Sequence, residues 1–108
     1  MLLHQKLILI QERVRKKDYR VTLHAEKERD ADKITKREIE EAILSKKTEI
    51  IEDYPEDKRG HSCLIAGFPG RRRPIHVVCA PKEGYLAVIT TYVPDLTNWK
   101  NNFKTRKK

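Results

Sequence analysis

Two apolar segments, Ile75–Ala80 and Leu86–Tyr92, carry an imidazole (His76) and a phenol (Tyr92), and three guanidinium groups (Arg71–Arg73) stand just before the first. His76 follows the basic run Arg71-Arg72-Arg73, and the second segment ends in Thr90-Thr91-Tyr92. Arginine forks match phosphate oxygens. An imidazole moves protons near neutral pH, and a phenol can donate to a phosphate or a leaving oxygen. Such a set suits binding, and cleavage, of a phosphodiester. The same residues also fit a solvated sheet face, with the arginine run as a charged hairpin tip and Tyr92 as strand-end packing.

A second group lies upstream. His24, Glu28 and Asp32 are spaced i, i+4, i+8, so a helix there puts them on one face. A histidine beside a carboxylate can serve as acid or base, or share a metal ion with it. A metal site needs three or four ligands, and the plainer reading is an exposed helix face with i,i+4 pairing. His61, after Arg59-Gly60, sits in a loop and is the weaker candidate. No Gly-rich phosphate loop, nucleophile elbow or HExxH motif occurs. Cys63 and Cys79 lack CxxC spacing and fall within apolar alternation, which reads as buried thiols.

The elements that must position these groups follow from periodicity. Leu3, Leu7, Ile10 and Val14 form one stripe of an amphipathic helix over residues 1–17, packed on the domain body or forming a dimer seam. Tyr19–Leu23 reads as a short strand, and His24–Lys33 as helix or helical turns. Thr35-Lys36-Arg37-Glu38 is a capping box that opens a helix buried through Ile39, Ala42 and Ile43. From Thr48 the period changes to two: Ile50, Glu52 and Tyr54 alternate with Ile51 and Asp53, and Cys63, Ile65 and Gly67 with Leu64, Ala66 and Phe68. Val77 and Cys79 oppose His76 and Val78. Four strands in meander order after helices predict an α+β fold, with the helices on one face of an antiparallel four- or five-stranded sheet. From Asp95 the tail reads as a short helix anchored by Trp99 and Phe103, four apart.

Length and charge bound the function. The 108 residues allow one domain, taken as residues 18–108 behind the helix of residues 1–17. Such a chain buries roughly 60–70% of its unfolded surface, enough for one modest core. No apolar run approaches the ~20 residues of a membrane span, and no small-residue cleavage site follows Leu7–Ile10, so the expected location is the cytoplasm. The net charge is +8, from 24 basic and 16 acidic residues, with an acidic stretch at Glu49–Asp57. That balance favours nucleic acid or an acidic protein as partner.

Taken in order, His24-Ala25, Ile34-Thr35, Ile50-Ile51-Glu52-Asp53-Tyr54-Pro55, Ser62-Cys63-Leu64, Arg73-Pro74-Ile75-His76-Val77-Val78-Cys79, Ile89-Thr90 and Tyr92-Val93-Pro94-Asp95 resemble a prokaryotic family of domains of unknown function. The ending Trp99…Phe103-Lys104-Thr105-Arg106 fits it too, so the resemblance covers Tyr19 to Arg106. Members of that family look like distant relatives of the RelE and BrnT ribonuclease toxins. They are often encoded beside a small protein with a YgiT-type zinc finger that looks like an antitoxin.

The resemblance implies the toxin half of a type II toxin–antitoxin pair, acting on RNA, mRNA included, with no cofactor and no metal. Its polar signature falls on His24, Glu28, Asp53, Arg73, His76, Thr90 and Tyr92; some relatives carry arginine where this chain has Glu28 and Asp32. The implied mechanism is attack by the neighbouring 2′-hydroxyl. His24 (with Glu28 beside it) or His76 takes the proton, Arg73 stabilises the phosphorane, and Tyr92 or the other histidine protonates the leaving oxygen. Arg59, Arg71, Arg72 and Arg106 would hold the RNA backbone. Two other classes use the same basic surface: a non-catalytic nucleic-acid-binding module, and a protein-interaction module for an acidic partner.

Overall fold

The computed structural model describes residues 2–70 and 72–107. Three helices, α1 (Leu3–Arg15), α2 (Leu23–Ala31) and α3 (Lys36–Leu44), accompany five longer strands. These are β1 (Tyr19–Val21), β2 (Glu49–Tyr54), β3 (Ser62–Gly67), β4 (Ile75–Pro81) and β5 (Leu86–Tyr92). A two-stranded hairpin, β6 (Trp99–Lys100) and β7 (Thr105–Arg106), ends the chain. The fold is α+β. No described helix is long and apolar enough to cross a membrane.

The sheet order is β1-β5-β4-β3-β2, and β2 to β5 form the expected antiparallel meander. The sheet is nevertheless mixed: β1 runs parallel to β5, pairing Tyr19 with Leu86 and Val21 with Val88. A parallel neighbour requires a long crossover, and everything from α2 to β4 supplies it. The strand expected over Tyr19–Leu23 stops at Val21, because Thr22 caps α2 by accepting the Ala25 amide at 3.1 Å.

All three helices lie on one sheet face. Ile10 and Val14 of α1, Ala25 of α2 and Ile39, Ala42 and Ile43 of α3 pack with Cys63, Ile65, Ile75, Val77, Leu86 and Val88 in one core. The helix expected over residues 1–17 forms as α1, Leu3–Arg15, and contributes to the same core as the rest of the described chain. Its buried stripe is Lys6, Ile10 and Val14, whereas Leu3 is exposed. Lys6 is accommodated because its ammonium donates to Asp53 at 3.2 Å. The α3 capping box forms as its sequence dictates: Thr35 Oγ1 accepts the Glu38 amide at 3.0 Å and Glu38 Oε1 accepts the Thr35 amide at 3.1 Å. Gly67 lets α3 sit directly on β3, since a Cβ there would meet the Ala42 carbonyl oxygen at 2.5 Å.

The opposite face is covered by the C-terminal hairpin, where a helix was expected. Asn101, Asn102 and Phe103 all take positive φ (52, 58 and 65°), which turns the chain back on itself. Asparagine tolerates that region better than most residues. The four-residue spacing of Trp99 and Phe103 thus marks the two sides of a turn. Leu64 and Ala66, on this face, are fully buried.

Candidate functional site beneath the C-terminal hairpin

Two β-bulges build the polar face. In the β2–β3 ladder Ile50 pairs with Ile65 and Glu52 with Leu64, so Ile51 is the extra residue. In the β4–β5 ladder Val78 pairs with Thr90 and Cys79 with Val88, so Ile89 is extra. One inserted residue shifts the period-two pattern by one position and reverses every side chain beyond it. Ile50, Leu86 and Val88 therefore face the helices, while Glu52, Tyr54, Thr90 and Tyr92 join His76 on the hairpin side. The expected grouping of Ile50 with Glu52 and Tyr54 fails for this reason.

His76 is the centre of this group and is fully buried. Its Nε2 lies 2.8 Å from the Phe103 carbonyl oxygen, which can only accept, so Nε2 carries the proton. In the neutral ring Nδ1 is then the acceptor, and the Tyr92 hydroxyl donates to it at 3.1 Å. Trp99 meets the ring edge-on at 4.4 Å between centroids. Burial, with the Arg106 charge adding to it, pushes the His76 pKa down to about 4. Burial also pushes the Tyr92 phenol up to about 12. His76 is thus a neutral strut with both nitrogens occupied, positioning Tyr92 and the hairpin. This geometry argues against its expected part as the base or acid.

Arg106 closes the other side. Its Nε and one terminal nitrogen donate to Glu52 at 2.8 and 3.0 Å, and its guanidinium lies 4.7 Å from the Trp99 ring centroid. Burial pushes the Glu52 carboxyl up, but the Arg106 and Tyr54 hydrogen bonds outweigh it and hold the group below its ordinary range. Tyr54 also donates to Glu52.

Two adjoining clefts open on this face. One, about 420 Å³, is lined by Val78, Thr90, Tyr92, Trp99, Arg106 and Lys107. The other, about 280 Å³, is lined by Thr22, His24, Arg59, Lys82, Ala87 and Ile89. Their floors are neighbours on β4 and β5, because Val78 pairs with Thr90 and the next same-face pair is Ala80 with Ala87. Taken together as one trough, the two clefts carry Arg59 and Lys82 at one end and Arg106 and Lys107 at the other. His24 stands exposed on α2 with Nε2 3.3 Å from Glu28 Oε1. Glu28 in turn accepts the Thr91 amide at 3.1 Å, which fixes α2 to the end of β5. Asp32 does the same for the Val93 amide at 2.9 Å.

The other expected site residues separate. Arg73 donates to the Asp32 and Lys33 carbonyls at 2.9 and 2.7 Å and lies 3.5 Å from Glu38. It ties the end of α2 to α3, so its expected role at a phosphorane has no support in the geometry. Arg72 reaches Glu41 at 3.9 Å, in a different recess. Arg71 lies outside the described residues. Asp53 sits on the helix side of the sheet, bridging Lys6 and His61 at 3.2 and 2.8 Å. Arg59 lines the smaller cleft but spends its guanidinium on Asp57, at 3.1 and 3.0 Å. Among the described residues no three His, Cys, Asp or Glu side chains converge as metal ligands would.

Sequence reasoning passed over Lys82, Lys107 and the polar role of Glu52. One signal pointed to Glu52: apolar Ile50 and polar Glu52 share a period-two phase, as do Val88 and Thr90. A phase that turns from apolar to polar within one strand marks a bulge. No curated protein and no solved structure matches this chain. Residues 21–93 match the model of a family described as a domain of unknown function, DUF4258. That span runs from β1 to the end of β5, so it holds the trough's floor and leaves out the hairpin above it. On that match, the chain belongs to the DUF4258 family.

Proposed function

We propose that this domain binds single-stranded RNA in the trough beneath the hairpin and cleaves it as a metal-independent endoribonuclease, the toxin of a type II toxin–antitoxin pair acting in the cytoplasm. The observation that carries the reading is the pairing of His24, Arg59 and Lys82 at one end with Tyr92, Arg106 and Lys107 at the other, across a shared floor. An exposed imidazole oriented by Glu28 suits the removal of a 2′ proton. The 2′-oxygen then attacks phosphorus, the bond to the 5′-oxygen breaks, and a 2′,3′-cyclic phosphate forms. Arg106 and Lys107 supply positive charge where negative charge builds on the phosphate. Tyr92, once its hydroxyl turns from His76 Nδ1 toward the substrate, donates its proton to the leaving 5′-oxygen. The cognate antitoxin, by the same family resemblance, carries a YgiT-type zinc finger.

One observation favours a second reading, a binding module that does not cleave. Two of the residues expected to catalyse, His76 and Arg73, have their nitrogens committed to internal partners. The deciding experiment is cleavage of a labelled mixed-sequence RNA in excess EDTA by wild type and His24→Ala. The nuclease reading expects cyclic-phosphate products from wild type and a loss of roughly 10²–10⁴-fold in the variant. RNA retention without product from either protein, with affinity falling as salt rises, assigns the trough to binding alone.

A further inference from the structure

A recess of about 810 Å³ lies elsewhere, between the end of α3, the β3–β4 turn and the tip of the hairpin. Its floor is apolar: Leu44, Phe68, Pro74 and Phe103 are all partly exposed there. A volume of this order accepts one or two large side chains. Its walls carry two carboxylates that are already paired. Glu41 meets Arg37 at 3.1 Å and Arg72 at 3.9 Å, and Glu40 takes hydrogen bonds from Lys17 and Tyr19. On the rim, Lys46 and Lys47 are exposed and make no ion pair among the described residues. Apolar floor and unspent cations therefore stand side by side.

We infer that this recess docks an acidic peptide segment of a partner protein, with one apolar side chain on Phe68 and Leu44 and flanking carboxylates on Lys46 and Lys47. Charge decides the occupant. A second copy of this chain brings another +8, which opposes self-association. A nucleic acid strand carries a phosphate at every step, and would have to place some of them beside Glu40, Glu41 and the negative end of α3. A peptide can space its carboxylates to meet only the two lysines and still fill an apolar floor. The inference does not depend on RNA cleavage in the trough.

The test is selection of a displayed dodecapeptide library, randomised over all residue types, on the full chain, followed by fluorescence anisotropy of the enriched peptides. The expected winners combine an aromatic or leucine anchor with Asp or Glu. Their affinity should fall at least about tenfold in Lys46→Glu/Lys47→Glu, as it does when a rim of paired charges is reversed. Lys27→Glu/Lys58→Glu, with the same change in net charge, should weaken binding far less. Three results overturn the proposal: no peptide tighter than about 100 μM, equal losses in both double variants, or loss of single-stranded RNA binding through Lys46 and Lys47 with no peptide effect. The last would assign the recess to RNA. EDTA-resistant RNA cleavage, measured on the same Lys46→Glu/Lys47→Glu protein, tests the trough separately.

Discussion

The two faces of the sheet are buried by different physics. On the helix side the buried side chains are almost all aliphatic, and they come from every helix and from β3, β4 and β5. Their burial is non-directional and spread over many contacts, so small rearrangements are absorbed. On the hairpin side a few directional bonds hold a short segment in place: His76 to Phe103 and Tyr92, and Arg106 to Glu52. Buried polar groups stabilise only when every partner is present. The first face should therefore contribute most of the stability of the domain, whereas the second sets the shape of the trough and should open first.

Adjacent residues of β3 test that contrast with the largest expected effect. Ile65 and Leu64 are both fully buried and point to opposite faces. Ile65→Ala should cost roughly 2–5 kcal/mol, because helices and sheet close around a cavity only in part. Leu64→Ala should fall at the low end of that range, since the hairpin above it can settle or lift. Urea unfolding of both variants gives the comparison. Equal losses would mean that the hairpin is as integral to the fold as the helices.

A smaller effect should separate local from global opening. His76→Ala leaves the Phe103 carbonyl and the Tyr92 hydroxyl without their partner, at roughly 1–3 kcal/mol for each group that stays buried. The chain can limit that cost by releasing the hairpin. Hydrogen exchange should then quicken at the amides of Trp99, Lys104 and Lys107, which bond within the hairpin region. The amides of α3 should stay as protected as in wild type. Tyr92→Phe, which removes one bond and keeps the ring, should lie between wild type and His76→Ala. Uniform acceleration across both faces would unite them in one cooperative unit.

Much of the helix face was legible because its signals are local. The capping box at Thr35 and the apolar positions Ile39, Ala42 and Ile43 define α3 without reference to the rest of the chain. The meander was legible too, from period-two runs that Pro55, Gly60, Pro69-Gly70 and Gly84 separate in the sequence. Non-local features were not. The parallel pairing of β1 with β5 depends on residues more than sixty positions apart. The bulges at Ile51 and Ile89 show in sequence only as a change of phase. The hairpin was mistaken for a helix because Trp99 and Phe103 fit a helical spacing equally well, and only Asn101-Asn102 hinted at a turn. The site followed the same division. His76 and Tyr92 were named and do meet, whereas Arg73 was named for its neighbours in sequence and is used by its neighbours in space.

The narrowest prediction concerns one proton. The His76 imidazole is moved down from 6.5 to about 4 on folding, through burial first and the Arg106 charge second. Between those two values the unfolded chain binds the proton and the folded chain does not. Stability should therefore rise with pH across that window, reach its full value above about 6.5 and have lost this contribution below about 4. Glu52, held below its ordinary range, acts in the same direction at lower pH. Urea midpoints for wild type and His76→Gln, measured at intervals from pH 4 to 7, should diverge as pH rises, with the variant's curve flatter by the share of one group. Parallel curves would show that His76 takes up its proton as freely in the folded chain as in the unfolded one. The hairpin would then spend its time lifted from the sheet, and the two faces would differ not in how they are buried but in whether they are.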